Sequence, residues 1–80
     1  MPTEFASEKV VVGIKQSRKA VVGGAAEIAY IARNADPMIT EPFEALCEEH
    51  GVKVIYADTM EELGHACGIN VGAAVAVLTE

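Results

Sequence analysis

Four short runs of β-branched and aliphatic residues punctuate the chain, at 10–12, 26–33, 52–57 and 73–78, and three stretches of helical character separate them. That alternation constrains the fold more than any other feature. A strand joined through a helix to another strand is a crossover, and crossovers lay helices against the faces of a sheet. The order reads β-α-β-α-β-α-β. The expected solution is a three-layer α/β/α sandwich around a four-stranded mixed sheet. Eighty residues make a single domain, 1–80, with one core. Residues 1–8 are expected to form a flexible or short helical lead-in.

Local signals fill in the elements. Val10-Val11-Val12 is β-branched and ends at Gly13. A helix over 15–22 follows, stopped by Gly23-Gly24. Along it Ile14, Ser17 and Val21 share one face, with Ala20 beside them, and Lys15, Arg18 and Lys19 share another. The second strand closes in Asn34-Ala35-Asp36-Pro37, a turn pattern. The next helix is expected to start near Thr40 as N-cap, with Pro42 in its first turn, and to close at Gly51. It would turn Ile39, Phe43, Leu46, Cys47 and His50 inward and Glu41, Glu44 and Glu48 outward. Thr59 and Glu62 form a capping box that opens a short helix ending at Cys67-Gly68. The apolar half of the chain is mostly Ala and Val, with two Phe, two Tyr and no Trp, so the core should be thin and the backbones closely packed.

Several classes of function find no support in the residues. No apolar run approaches the ~20 residues a membrane helix needs, and the acidic start lacks the pattern of a signal peptide, so a cytoplasmic protein with no membrane partner is expected. Cys47 and Cys67 suit that compartment as reduced thiols. Two cysteines and two distant histidines do not make a zinc signature, and neither metal nor other cofactor is expected. There is no nucleophile–base pair and no dinucleotide fingerprint, and the stretch from Gly13 to Lys19 lacks the second glycine and the Lys-Ser/Thr pair of a P-loop. Enzyme activity on a small-molecule substrate is therefore not expected. His65 has no evident acid–base partner and reads as solvated or helix-capping, His50 as a complement to a helix dipole, and Cys67 as buried and inert.

Charge is more informative. The net charge of −6 argues against a general polyanion binder. Yet residues 9–19 hold Lys9, Lys15, Arg18 and Lys19 with no acid, a local +4 on an acidic body. Such a patch is the footprint of a focused anion site. It opens a helix that directly follows a strand, where unpaired N–H groups favour a phosphate and Gly13 permits close backbone approach. Lys15 and Lys19 can donate to guanine O6 and N7, and Gln16 can donate or accept at a base edge. An ordinary solvated basic helix accounts for the same residues. A second constellation runs from Leu63 to Ala74, where Ile69-Asn70-Val71 lies between two glycines. Aliphatics exposed in such a loop suit the face of an unstacked base. The alternative is that Ile69 and Val71 fold back onto the core.

Together these stretches resemble the kink-turn RNA-binding ribosomal protein family L7Ae/L30e. Family members carry Gly-x-Asn-Glu-x-x-Lys at the first strand–helix junction. Here Gly13 and Lys19 match, with Lys15 at the Asn position and Gln16 at the Glu position. The family's Ala-x-x-x-Asp-Pro turn is similar to residues 32–37, and its Leu-Gly-x-Ala-x-Gly-Ile-x-Val landmark is similar to residues 63–71. The Lys-Gln pair and the lack of a long N-terminal helix resemble the short bacterial, ribosome-associated members. The resemblance implies a monomer that binds structured RNA, a kink-turn with sheared G·A pairs, in association with the ribosome. Lys15, Gln16 and Lys19 would read guanine edges, Gly13 would allow close approach, and Ile69, Asn70 and Val71 would wall the flipped-out nucleotides. The alternative is a protein-interaction or scaffold role on the ribosome through the acidic face of Glu41, Glu44 and Glu48.

Overall fold

The computed structural model describes residues 9–79, and the expectation for residues 1–8 lies outside them. The elements are β1 (Val10–Val12), α1 (Ile14–Val22), β2 (Ala26–Ala32), α2 (Pro37–Glu49), β3 (Lys53–Ala57), α3 (Met60–Ala66) and β4 (Val75–Thr79). The four strands form one sheet in the order β1-β4-β2-β3. β2 pairs parallel with β3, and β4 pairs antiparallel with both β1 and β2, so the sheet is mixed as expected.

The period-2 alternation of strands sorts the core into two layers. Ala29 and Ile31 of β2 and Val75 and Val77 of β4 face α1 and α2, where Val21, Phe43 and Cys47 complete a buried cluster. Tyr30, Ala32, Ala57 and Ala76 face the other way, against Leu63 of α3 and Ala73. Two helices thus cover one face, and one short helix with its following loop covers the other. The many buried alanines bring backbones close, as the Ala-rich composition implies. Phe43, 1 % exposed, is the largest fully buried side chain among the described residues.

The second helix departs from expectation at its start. Thr40 is not the N-cap. Asp36 is, its carboxylate accepting from the Met38 N–H at 2.9 Å, with Pro37 at the first helical position. An aspartate before a proline preorganises a helix start better than a threonine four residues later can, because the proline φ is already helical. Pro42 therefore lies inside α2, in its second turn, and supplies no N–H to the Met38 carbonyl. Met38 is 83 % exposed, so water reaches this turn. Of the inward stripe, Phe43 and Cys47 are buried and Leu46 is half-buried, but Ile39, in the first turn, is on the surface. His50 is the exposed C-cap, 3.9 Å from the Glu49 carboxylate, not a core residue. By contrast, Thr59 caps α3 as its sequence predicts, accepting from the Glu62 N–H at 3.0 Å.

Candidate nucleic-acid interface

The topology brings both constellations to one end of the sheet. β1, β2 and β3 run in one direction and all finish at the end where β4 begins. Val12 is paired with Ala76, and the Gly13 N–H donates to the Val75 carbonyl at 3.1 Å. The opening of α1 is thereby tied to the strand that the loop 67–74 feeds.

At the α1 opening the backbone does the preparing. Gly13 is the N-cap, with φ 97° and ψ 153°, a region that side chains with a Cβ rarely enter. No side chain caps this helix. The N–H groups of its first residues are left facing outward, because a helix start has no internal acceptors for them. A Cβ built at Gly13 would meet nothing within 4 Å, so the approach to this helix end is open. Lys15, Gln16, Arg18 and Lys19 are all exposed. Ser17 and Val21, on the opposite side, are buried and anchor the helix, as the face assignment predicts. The Ser17 hydroxyl is fully buried and has no hydrogen-bond partner.

The loop after α3 is built in the opposite manner. Gly68, at φ 81°, turns the chain out of the helix, and the Ile69 N–H donates back to the Gly64 carbonyl at 3.1 Å. The Val71 carbonyl then lies on Gly64: a Cβ at residue 64 would come within 2.0 Å of that oxygen. Gly72 passes less closely over Met60, where a Cβ would stand 3.0 Å from the Met60 Cβ. The Ala73 N–H donates to the Met60 carbonyl at 3.0 Å, and the Met60 N–H donates to Asn34 Oδ1 at 2.8 Å. The loop, the start of α3 and the β2–α2 turn are thus one clamped assembly.

The two aliphatics divide between the two readings of this loop. Ile69 is half-buried and packs against the α3-side cluster. Val71 is 70 % exposed and Asn70 is exposed as well. One residue roots the loop, and the next two project from it.

Other expected roles are placed as follows. Cys67 is half-buried where full burial was expected, yet burial pushes its thiol up from the ordinary range, away from the thiolate a reactive cysteine needs. Glu41 and Glu48 are exposed and Glu44 half-buried on α2. Among the described residues no group of three or more His, Cys, Asp and Glu is placed to hold a metal ion. No described helix is long and apolar enough to cross a membrane.

Residues 2–80 match the family model described as the ribosomal protein L7Ae/L30e/S12e/Gadd45 family. The chain belongs to that family. A relative named RNA-binding protein TTE2299, from Caldanaerobacter subterraneus subsp. tengcongensis, is 48 % identical over 68 residues, covering 85 % of this chain and 83 % of the relative. The RNA-binding protein YbxF of Geobacillus stearothermophilus is 44 % identical over 71 residues, covering 88 % and 87 %. Among solved structures, the Giardia lamblia 15.5kD RNA binding protein superposes with a TM-score of 0.85 at 31 % identity over 91 % of this chain. The chain spans 62 % of that longer protein.

Two parts of the site were not legible from the motifs. Asn34 stands in a turn pattern, yet its side chain bridges 26 residues to cap the first turn of α3. Gly64 falls within the 63–71 landmark, yet its role in seating the loop shows only in its contact with the Val71 carbonyl. A partner so distant in sequence leaves no local pattern.

Proposed function

We propose that this member of the L7Ae/L30e/S12e/Gadd45 family is an RNA-binding protein that recognises a kink-turn, and that it does so as a cytoplasmic, ribosome-associated monomer without a cofactor. The observation that carries the reading is the meeting, at one end of the sheet, of an open uncapped basic helix start and a clamped loop with exposed Val71. The names of the RNA-binding relatives support the ligand class.

The division of labour follows from the chemistry. The outward N–H groups at the start of α1 and the positive end of its dipole attract a phosphate. Lys15 and Lys19 donate to guanine O6 and N7, and the Gln16 carboxamide pairs with a base edge, as sheared G·A pairs present them. Gly13 lets the RNA backbone come close without meeting a side chain. Ile69, Asn70 and Val71 wall the nucleotides that a kink expels from the stack. Lys for Asn and Gln for Glu make this site more basic than the usual family pattern.

A titration against a kink-turn RNA and a matched straight duplex, at two salt concentrations, tests the reading. Tight binding to the kink-turn and weak binding to the duplex is the expected result. With the three cationic side chains of α1 neutralising RNA charge and releasing counterions, affinity should fall roughly 20–40-fold between 50 and 200 mM salt. Equal affinity for both RNAs would remove the kink-turn reading. Ribosome association is read separately, by co-sedimentation of the protein with ribosomal subunits.

A further inference from the structure

The outer surface of the two-helix layer carries a pattern that RNA binding does not account for. α1 and α2 leave the same end of the sheet and lie on the same face of it, so they run parallel. Between them is a groove of about 330 Å³, walled by Ile14 and Arg18 of α1 and by Met38, Ile39 and Pro42 of α2, with buried Phe43 beneath. Met38, Ile39 and Pro42 are all exposed. At about 3.6 residues per turn, Ile39 and Pro42 face α1, while Glu41, Glu44 and Glu48 come round to the far side of α2. The same geometry sets Lys15 and Lys19 on the outer side of α1. The layer therefore shows a basic ridge, an apolar trough and an acidic ridge, side by side.

We propose that this face binds a second copy of the chain in the absence of RNA, and that RNA displaces that copy from α1. A twofold axis laid along the trough turns one copy over onto the other. It sets trough on trough and, on each side, the basic ridge of one copy on the acidic ridge of its partner. An axis laid across the helices would bring like charges together, so charge fixes the arrangement. A uniformly acidic partner would be repelled by α2 and a uniformly basic one by α1. The second copy meets both ridges with the opposite sign, by symmetry alone. The exposed apolar side chains of the trough supply the attraction. The charges stay near solvent and the patch is small, so the association is weak and reversible. Self-association does not depend on the RNA-binding reading; the competition does, because Lys15 and Lys19 serve both partners. The monomer is the RNA-bound form.

Sedimentation equilibrium of the full chain without RNA, between about 10 µM and about 1 mM, reads the association. The average mass should climb from that of one chain toward that of two. Two double variants test the arrangement. Lys15→Glu with Lys19→Glu reverses the basic ridge, and Glu41→Lys with Glu48→Lys reverses the acidic one. Each alone should associate at least about tenfold more weakly than wild type, because both contacts of the dimer become repulsive. Mixed, the two should pair one to one with an affinity near that of wild type, which also shows that both are folded. A mixture that fails to pair would overturn the proposal. So would a wild-type chain that stays single over the whole range, which would leave the face to a different protein. Kink-turn RNA should return the dimer to one chain per RNA, and a complex holding two joined chains on one RNA would overturn the competition. An RNA that binds no chain would remove the kink-turn reading and the competition with it, while the masses measured without RNA still decide the dimer.

Discussion

The two halves of the candidate interface are made in opposite ways. The opening of α1 is unobstructed: Gly13 has nothing within 4 Å of where a Cβ would stand, the helix has no side-chain cap, and its basic side chains are free in solvent. The α3–β4 loop is wedged: its backbone lies on Gly64 and Met60 and its ends are held by hydrogen bonds to Gly64 and Met60. The first half offers charge and donors that adapt to a ligand, at a cost in side-chain entropy when they bind. The second offers a preformed apolar shape with little left to order. A surface that must both attract an anion and recognise a distorted strand gains from having one of each.

Substituting the two glycines breaks this comparison most directly. Gly64→Ala puts a Cβ into a backbone oxygen that cannot move without the loop, and should cost about 3 kcal/mol. Thermal or urea unfolding reads the loss. Gly13→Ala meets no atom but must hold a conformation that favours glycine, at about 1–3 kcal/mol. If the clamp is real, Gly64→Ala also changes the chemical shifts of residues 69–73 in the free protein, whereas Gly13→Ala leaves them in place.

Alkaline pH probes the core beneath the open half. Burial, with Glu44 adding to it, pushes the Cys47 thiol from its ordinary 9.0 up to about 11. The unfolded chain releases this proton near pH 9 while the folded chain keeps it, so stability is intact below pH 9 and declines as pH rises to about 11. The loss should reach roughly 2–3 kcal/mol. Tyr30, raised by burial and by neighbouring Cys67, acts with the same sign above its ordinary 10.0. Unfolding curves of wild type and Cys47→Ala between pH 8 and 11 should diverge at low pH and converge at high pH.

Binding variants sharpen the division of labour. Lys19→Ala or Gln16→Ala should cost about 1–3 kcal/mol of affinity for kink-turn RNA, and much less for straight duplex. Lys19→Ala should in addition flatten the salt dependence. Val71→Ser should weaken kink-turn binding without altering its salt dependence, because it removes shape and not charge. The smallest effect concerns the underside of α1. Ser17→Ala deletes a buried hydroxyl without a partner and should raise stability by up to about 1 kcal/mol, with RNA affinity unchanged.

Much of this protein follows from its residues taken in order. The alternation of short β-branched runs with helical stretches predicts the layers, because period 2 and period 3.6 cannot bury the same residues in the same way. The faces of α1 and the cap at Thr59 were legible for the same reason: each depends on residues within one or two turns of each other. Where local signals compete, the reading failed. Thr40 and Asp36 are both fair caps, and Asp36-Pro37 prevails because the proline φ is already helical, while Ile39 and His50, at the two ends of the helix, reach the surface.

The charge cluster of α1 is a property of eleven consecutive residues and needs no fold to be seen. Which of Ile69 and Val71 projects, that Asn34 holds Met60, and that Glu61 and His65 border the loop were decided by the tertiary structure alone. These depend on backbones meeting across the sheet, at separations where side-chain type says nothing about distance. Local periodicity determined the elements and the charge, and the close passage of the loop over Gly64 and Met60 decided the shape of the site.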